Sequence, residues 1–284
     1  MAALEPNFPP VRACLFDMDG LLLDTEDIYT LCNNVILREC NRPDLPWNIK
    51  AQLQGRPGPE AGEIFHAWAQ LPIPRAEYIR KNTELQRKHF PSAQPLPGVP
   101  ELLKTLSESG LHLALATSSH TANFKLKTLH LQPLFRNFPD DQKVLGDDAR
   151  IPPGKGKPAP DIYLLALETI NSGLRKKGKK EIKREECLVF EDSVPGVEAG
   201  RRAGMRVVWC PHPKLLKEYR GREKEVLAGL ANGGGDEQVK EVMEEAAVGG
   251  EGKGRGWPGK KDDGWAELIP SLEGFQYSRY GIRK

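Results

Sequence analysis

The stretch ACLFDMDGLLLDTE, Ala13–Glu26, decides the fold. Its opening residues are apolar without alternation, which predicts a strand covered on both faces, as in a parallel sheet flanked by helices. Asp17 and Asp19 stand just past its end. Strand residues alternate in direction, so both acids point the same way if the strand continues, and Gly20 permits a tight turn behind them. Alone, the D-x-D spacing says little, because roughly one chance occurrence is expected in a chain of this size and acids after a strand mostly cap turns. The rest of the chain supplies the context.

Similar apolar runs recur at VRACLF (11–16), LHLALAT (111–117), QKVLG (142–146), ECLVF (186–190) and MRVVWC (205–210). Helical patterns lie between them at Val99–Ser109, Ala159–Asn171 and Val197–Ala203. This alternation predicts an α/β fold with a doubly wound parallel sheet. Residues 25–95 break the alternation: EDIYTLCNNVILREC, PEAGEIFHAWAQ and RAEYIRKNTELQRKHF read as helices separated by GRPGP and LPIP. They are expected to form a helical cap inserted after the first strand, over the strand ends where open α/β sheets bind ligands, with the core built from 1–24 and 96–284. Asp24 and Glu26 are expected to cap and begin its first helix. Residues 225–263 read as a glycine-rich excursion around the amphipathic DEQVKEVMEEAAV, and the chain is expected to rejoin the fold at WAELIPSLEGF (265–275).

The run CLVFEDS also leads apolar residues into acids, Glu191 and Asp192. In a parallel sheet both strand ends lie on one edge, so Asp17, Asp19, Glu191 and Asp192 converge there. Clustered oxygen ligands suit a hard divalent cation, and Mg²⁺ leaves positions for water and a phosphate oxygen. The second strand ends in Thr117, Ser118 and Ser119, and GKGKPAPDIY offers Lys157 just before a helix. Hydroxyls, a lysine and a cation together make a site for a dianionic phosphate.

These segments, FDMDGLLLDTE, LALATSS, GKPAPDIY and LVFEDSVPGVEAGRRAGM, resemble the four ordered motifs of the haloacid dehalogenase (HAD) superfamily of phosphatases, over about residues 10 to 212. ATSS, VLGDDARIPPGKGKPAPDIYLLA and SLEGFQ further resemble its pseudouridine-5'-phosphatase-like branch. The resemblance implies that Asp17 is the nucleophile and forms an aspartyl-phosphate, while Asp19 is first general acid and then base. It also implies Mg²⁺ on Asp17, Asp192 and the backbone carbonyl of Asp19, with Glu191 beside it. Thr117, Ser118 and Lys157 would hold the phosphoryl group, and Gly55 and Arg56 of the cap would face the substrate. The substrate implied is a small phosphorylated metabolite. A phosphosugar mutase of the same superfamily and a non-catalytic interaction protein are the alternatives. Two local departures, the extra residues RIPPGKG before Lys157 and the glycine-rich excursion, leave the four motifs intact.

Composition narrows the partners. Lys and Arg number 41 against 39 for Asp and Glu, a net charge of +2, so no strong field draws the chain to nucleic acid or membrane. The basic run RKKGKKEIKR (175–184) reads as a solvated connection. Five scattered cysteines without C-x-x-C spacing fit a reducing setting, and MAALEPNFPP lacks the features of a signal peptide. A cytoplasmic monomer is expected, with a nuclear location also compatible. The histidines form no ligand spacing, and no G-x-S-x-G elbow surrounds Ser118 and Ser119. Lys155 lacks the PAPDIY that follows Lys157 and reads as a solvated loop charge.

Overall fold

The computed structural model describes residues 8–231 and 260–283. In chain order its elements are β1 (Ala13–Phe16), α1 (Thr25–Glu39), α2 (Trp47–Leu53), α3 (Gly58–Ala69), α4 (Arg75–His89), α5 (Val99–Glu108), β2 (His112–Ala116), α6 (Thr121–Thr128), α7 (Gln132–Phe135), β3 (Lys143–Val144), α8 (Asp161–Lys176), β4 (Cys187–Glu191), α9 (Val194–Arg202), β5 (Arg206–Trp209), α10 (Pro213–Glu218), α11 (Glu223–Leu227) and β6 (Ala266–Leu268). The strands form one parallel sheet in the order β3-β2-β1-β4-β5-β6. The order reverses at β1 and β4, and a doubly wound sheet opens its ligand crevice at that switch point.

Two-sided burial explains the unbroken apolar runs. Cys14, Phe16, Leu113, Leu115, Leu188 and Phe190 face α5 and the segment around Phe275 and Tyr280. Their neighbours Ala13, Leu15, Ala114, Ala116, Cys187 and Val189 face α8 and α9. The strands β1, β2, β4 and β5 thus feed both cores, and an isolated polar substitution in either face costs the burial of its side chain, about 1.5–3 kcal/mol for a large apolar residue. The sixth strand was not foreseen as one. Its three residues are only half-buried and carry Glu267 in the middle, so neither an apolar run nor a clear alternation marks it.

Helices α1 to α4 enclose a third cluster, Ile36, Leu37, Leu45, Phe65, Ala69 and Tyr78, separate from both sheet cores. The two chain passages that connect them to the sheet lie side by side. Asp24 N donates to Gln94 O at 3.0 Å and Leu96 N to Leu22 O at 3.0 Å. Asp24 stands at the start of α1 but caps nothing there; its Oδ1 accepts from Gln94 N at 2.7 Å and so stitches this ribbon instead. Glu26 does lie in the first turn of α1, where it is buried and paired with Lys50 at 3.0 Å.

The two ends of the expected excursion are docked. Val226 of α11 is buried, Lys224 pairs with Asp262 at 2.7 Å, and Arg201 holds Asp263. Residues 232–259, including DEQVKEVMEEAAV, lie outside the described residues.

Candidate active site

The β1 ladder continues one residue past the strand, with Asp17 N donating to Phe190 O at 3.1 Å. That bond carries Asp17 to the sheet edge beside Glu191, the last residue of β4. Gly20 then turns the chain at φ +81°, where a Cβ would stand 2.3 Å from Asp192 Oδ2. Only glycine lets the β1 turn come this close to the β4 acids.

Lys157 sits at the centre, with no solvent exposure. Its Nζ donates to Asp17 Oδ1 at 2.5 Å, Glu191 Oε1 at 2.6 Å and Ala116 O at 3.1 Å. Burial would push the ammonium down, but the two carboxylates hold it well above its ordinary value. Lys155, two residues away, is exposed. Glu191 has both oxygens engaged: Oε1 also accepts from the Tyr163 hydroxyl at 2.5 Å, and Oε2 from Ser193 Oγ at 3.0 Å and Asp192 N at 3.1 Å.

Asp17, Glu191 and Asp192 are all buried, and an oxygen from each lies within 4.8 Å of the others. Three carboxylates against the single ammonium of Lys157 leave two negative charges in excess. Burial, with repulsion from Glu191 and Asp19, pushes Asp17 up to about 7 against the pull of Lys157. Asp192 is raised well above the carboxylate range by burial and then by Asp17, with only Gln54 Nε2 donating to its side chain. A buried cluster with this deficit fits a divalent cation, which would lift both penalties.

Asp19 has a different environment. Its Oδ1 accepts from Lys127 Nζ at 2.5 Å and Thr25 Oγ1 at 2.6 Å, and its Oδ2 from Ser119 Oγ at 2.6 Å. Burial would raise its pKa, but Lys127 and these hydrogen bonds bring it below the usual value. Lys127 is itself fully buried, bonded to Tyr29 and lying 4.5 Å from the ring centroids of Tyr29 and Phe90. Sequence reasoning missed Lys127, yet a signal exists. Phe124, Lys127, Thr128 and Leu131 share one helical face, so the inward stripe of α6 contains a lysine.

Asp17 and Asp19 open into a cavity of about 640 Å³ between the sheet edge and α1 to α4. Asp17, Asp19, Thr117 and Ser118 line one wall, and Gly55 and Arg56 the other. Hydrogen bonds join the walls, among them Ser118 Oγ donating to Gly55 O at 3.1 Å, Asn123 Nδ2 donating to Gln86 Oε1 at 3.3 Å, and Gln54 reaching Asp192. Gly55 has φ +77°, and a Cβ there would stand 2.1 Å from Ser193 Oγ. Arg56 donates to Gln52 O at 2.8 Å and lies 3.9 Å from Glu60. Thr117 Oγ1 accepts from Ser119 N at 3.1 Å, which shapes the turn after β2.

A sheet edge that gathers acids, one buried lysine and a hydroxyl turn is the phosphoryl-transfer edge of one protein class. A model of the haloacid dehalogenase-like hydrolases matches residues 11–204. The chain is 45% identical to the "Probable pseudouridine-5'-phosphatase" of Saccharomyces cerevisiae, over 77% of this chain and 90% of the relative. A Drosophila melanogaster protein named likewise is 38% identical over 78% of this chain and 91% of the relative. Among solved structures, CbbY from Rhodobacter sphaeroides in complex with phosphate superposes with a TM-score of 0.56 at 25% identity, covering 71% of this chain and 87% of that one. The chain belongs to the haloacid dehalogenase-like hydrolases. Within that family it is a phosphatase. Among the described residues no helix is long and apolar enough to cross a membrane.

Proposed function

We propose that the chain is a Mg²⁺-dependent phosphomonoesterase working through an aspartyl-phosphate on Asp17, with pseudouridine 5'-phosphate as the substrate to test first. The observation that carries this reading is the buried Asp17–Lys157–Glu191–Asp192 cluster, whose Asp17 lines the cavity under the cap. Lys157 fixes the Asp17 carboxylate by one oxygen for attack on phosphorus and neutralises charge on the transferring group. Thr117 and Ser118, on the turn after β2, line the same wall and hold phosphoryl oxygens. Asp17, Asp192 and the Asp19 carbonyl would hold Mg²⁺, which would supply charge neutralisation at the phosphoryl oxygens. Glu191, its oxygens taken by Lys157, Tyr163 and Ser193, acts as a support that sets Lys157 and the Asp192 turn.

Asp19 protonates the leaving alkoxide and then takes a proton from the hydrolytic water. Its surroundings keep it ionised, which suits the second task; for the first it must gain a proton when the site is occupied. Residues 25–95 act as a cap that excludes bulk water during chemistry, hinged at the paired passages 22–24 and 94–96. The free thiols of all five cysteines favour a reducing, cytoplasmic setting.

The test is phosphate release with Mg²⁺ from pseudouridine 5'-phosphate, uridine 5'-phosphate, hexose phosphates and glycerol phosphate, beside Asp17→Asn. The pseudouridine compound is expected to lead, and Asp17→Asn to lower turnover by at least about 10³-fold. Isomerised sugar phosphate without free phosphate would move the reading to a mutase. No Asp17-dependent release from any compound would end it.

A further inference from the structure

Part of the cavity lining comes from the cap alone. Its flat wall is aromatic: Tyr78 stacks on Phe65 with ring centroids 5.0 Å apart and meets His66 edge-on at 4.6 Å. Beside these rings lie the carboxamides of Asn33 and Asn82. The cap cations that line the cavity are engaged already, Lys50 with Glu26 at 3.0 Å, Arg56 with Gln52 O and Glu60, and Arg75 with Glu63 at 2.6 Å. Such a wall offers nothing to a second phosphate. It suits an uncharged, flat, hydrogen-bonding leaving group.

One polar atom on this wall is unmatched. Burial pushes the Tyr78 phenol up, so the hydroxyl keeps its proton, and it donates that proton to Asn33 Oδ1 at 2.7 Å. Its lone pair then accepts from Asn82 Nδ2 at 3.2 Å. In this arrangement the Asn82 amide turns its nitrogen to the phenol, and Asn82 Oδ1 is buried without a hydrogen-bond partner. An acceptor in that state is satisfied by an ordered water or by a donor that arrives with the ligand.

Resting on the substrate reading above, we infer that Asn82 Oδ1 accepts a ring N–H of the bound base, and that Asn82, oriented by Tyr78 and Asn33, is the specificity-determining residue. The donor is the N1–H of a carbon-linked pyrimidine. In uridine that nitrogen is bonded to the ribose, and a C–H occupies the equivalent corner of an otherwise isosteric ring. A polyol hydroxyl rotates to any partner and is not selected by one fixed acceptor.

The test is kcat/KM for pseudouridine 5'-phosphate relative to uridine 5'-phosphate in wild type, Asn82→Ala and Tyr78→Phe. The ratio is taken within each preparation, so a loss of folded protein cancels. Wild type is expected to favour the pseudouridine ester by about 10- to 100-fold, the deficit of one unpaired buried acceptor. Asn82→Ala is expected to bring the ratio within about threefold of unity, and Tyr78→Phe to lower it by less, since it frees the amide to turn without removing it. A wild-type ratio near one, or a ratio that Asn82→Ala leaves unchanged, overturns this assignment while pseudouridine 5'-phosphate can still be the leading substrate. If glycerol phosphate is turned over faster than either nucleotide, the substrate reading itself fails and takes this inference with it.

Discussion

The two walls of the cavity differ in how completely their polar atoms are matched. On the sheet side, Lys157 and Glu191 have no solvent exposure, and every one of their charged atoms meets a partner within the wall. On the cap side, Gln54 Oε1 and Asn82 Oδ1 are buried and unpartnered, and no atom of Asp17, Lys157, Glu191 or Asp192 shares that condition among the described residues. The saturated Lys157–Glu191 pair of the sheet wall treats every phosphate ester alike. A wall with unmet acceptors gains only when a particular leaving group completes it. On the proposed reading, common chemistry and substrate choice are carried by different parts of the chain, and the comparison fails if mutations on either side show the other side's signature.

The largest effect is expected from Lys157→Met. It should lower turnover by about 10³-fold, and by the same factor for every phosphate ester, because the lysine meets only the phosphoryl end. Without metal it should also destabilise the fold by roughly 3–5 kcal/mol, since Asp17 and Glu191 lose their buried counter-charge. Thermal unfolding should show part of that loss recovered on adding Mg²⁺. A loss of activity that varied widely between substrates would break the division between the walls.

A smaller effect concerns pH and the cation in the wild type. Asp17 is raised by burial to about 7 from its ordinary 3.8, and Asp192 is raised as well. A carboxyl with a raised folded-state pKa contributes stability below its unfolded value and loses that contribution as pH rises toward the folded one. Metal-free protein should thus lose stability from about pH 4 to about 7 through this cluster. A divalent cation takes the place of the protons, so the Tm gain on adding Mg²⁺ should be greater at pH 7.5 than at pH 5. An equal gain at both would mean that the cation binds elsewhere.

The same contrast governs how much could be read from the sequence. The sheet side is written in short contiguous runs: apolar residues at 13–16 and 187–190, then acids, and a lysine in a Gly/Pro segment before a helix. Such patterns survive in one dimension because a strand end places its acids by local geometry. What escaped was made by packing across the chain. Gln54 meets Asp192 138 residues away, and Lys127 meets Asp19 108 residues away. A lysine on a helix ordinarily faces water, so only its place in the Phe124–Leu131 stripe hinted otherwise. The pair of Tyr78 and Asn82 is spaced i, i+4 and reads as ordinary helix surface until α1 brings Asn33 to the phenol.

The smallest effect is expected at Arg56, and it sharpens the comparison because the residue lies at the seam. Its Nε donates to Gln52 O, its other end is 3.9 Å from Glu60, and its side chain is one-fifth exposed. A guanidinium already spent on Gln52 and Glu60 has little left for a transition state, and a partly solvated pair is worth little by itself. Arg56→Ala should therefore raise KM by about threefold to tenfold with kcat nearly kept, the pattern of lost uniform binding. Lys155→Ala, on the exposed side of the same lysine-bearing loop, should change neither constant by more than about twofold. A fall in kcat for Arg56→Ala comparable to that of Lys157→Met would place Arg56 on the phosphoryl group in the closed state, and the saturated wall would then extend into the cap.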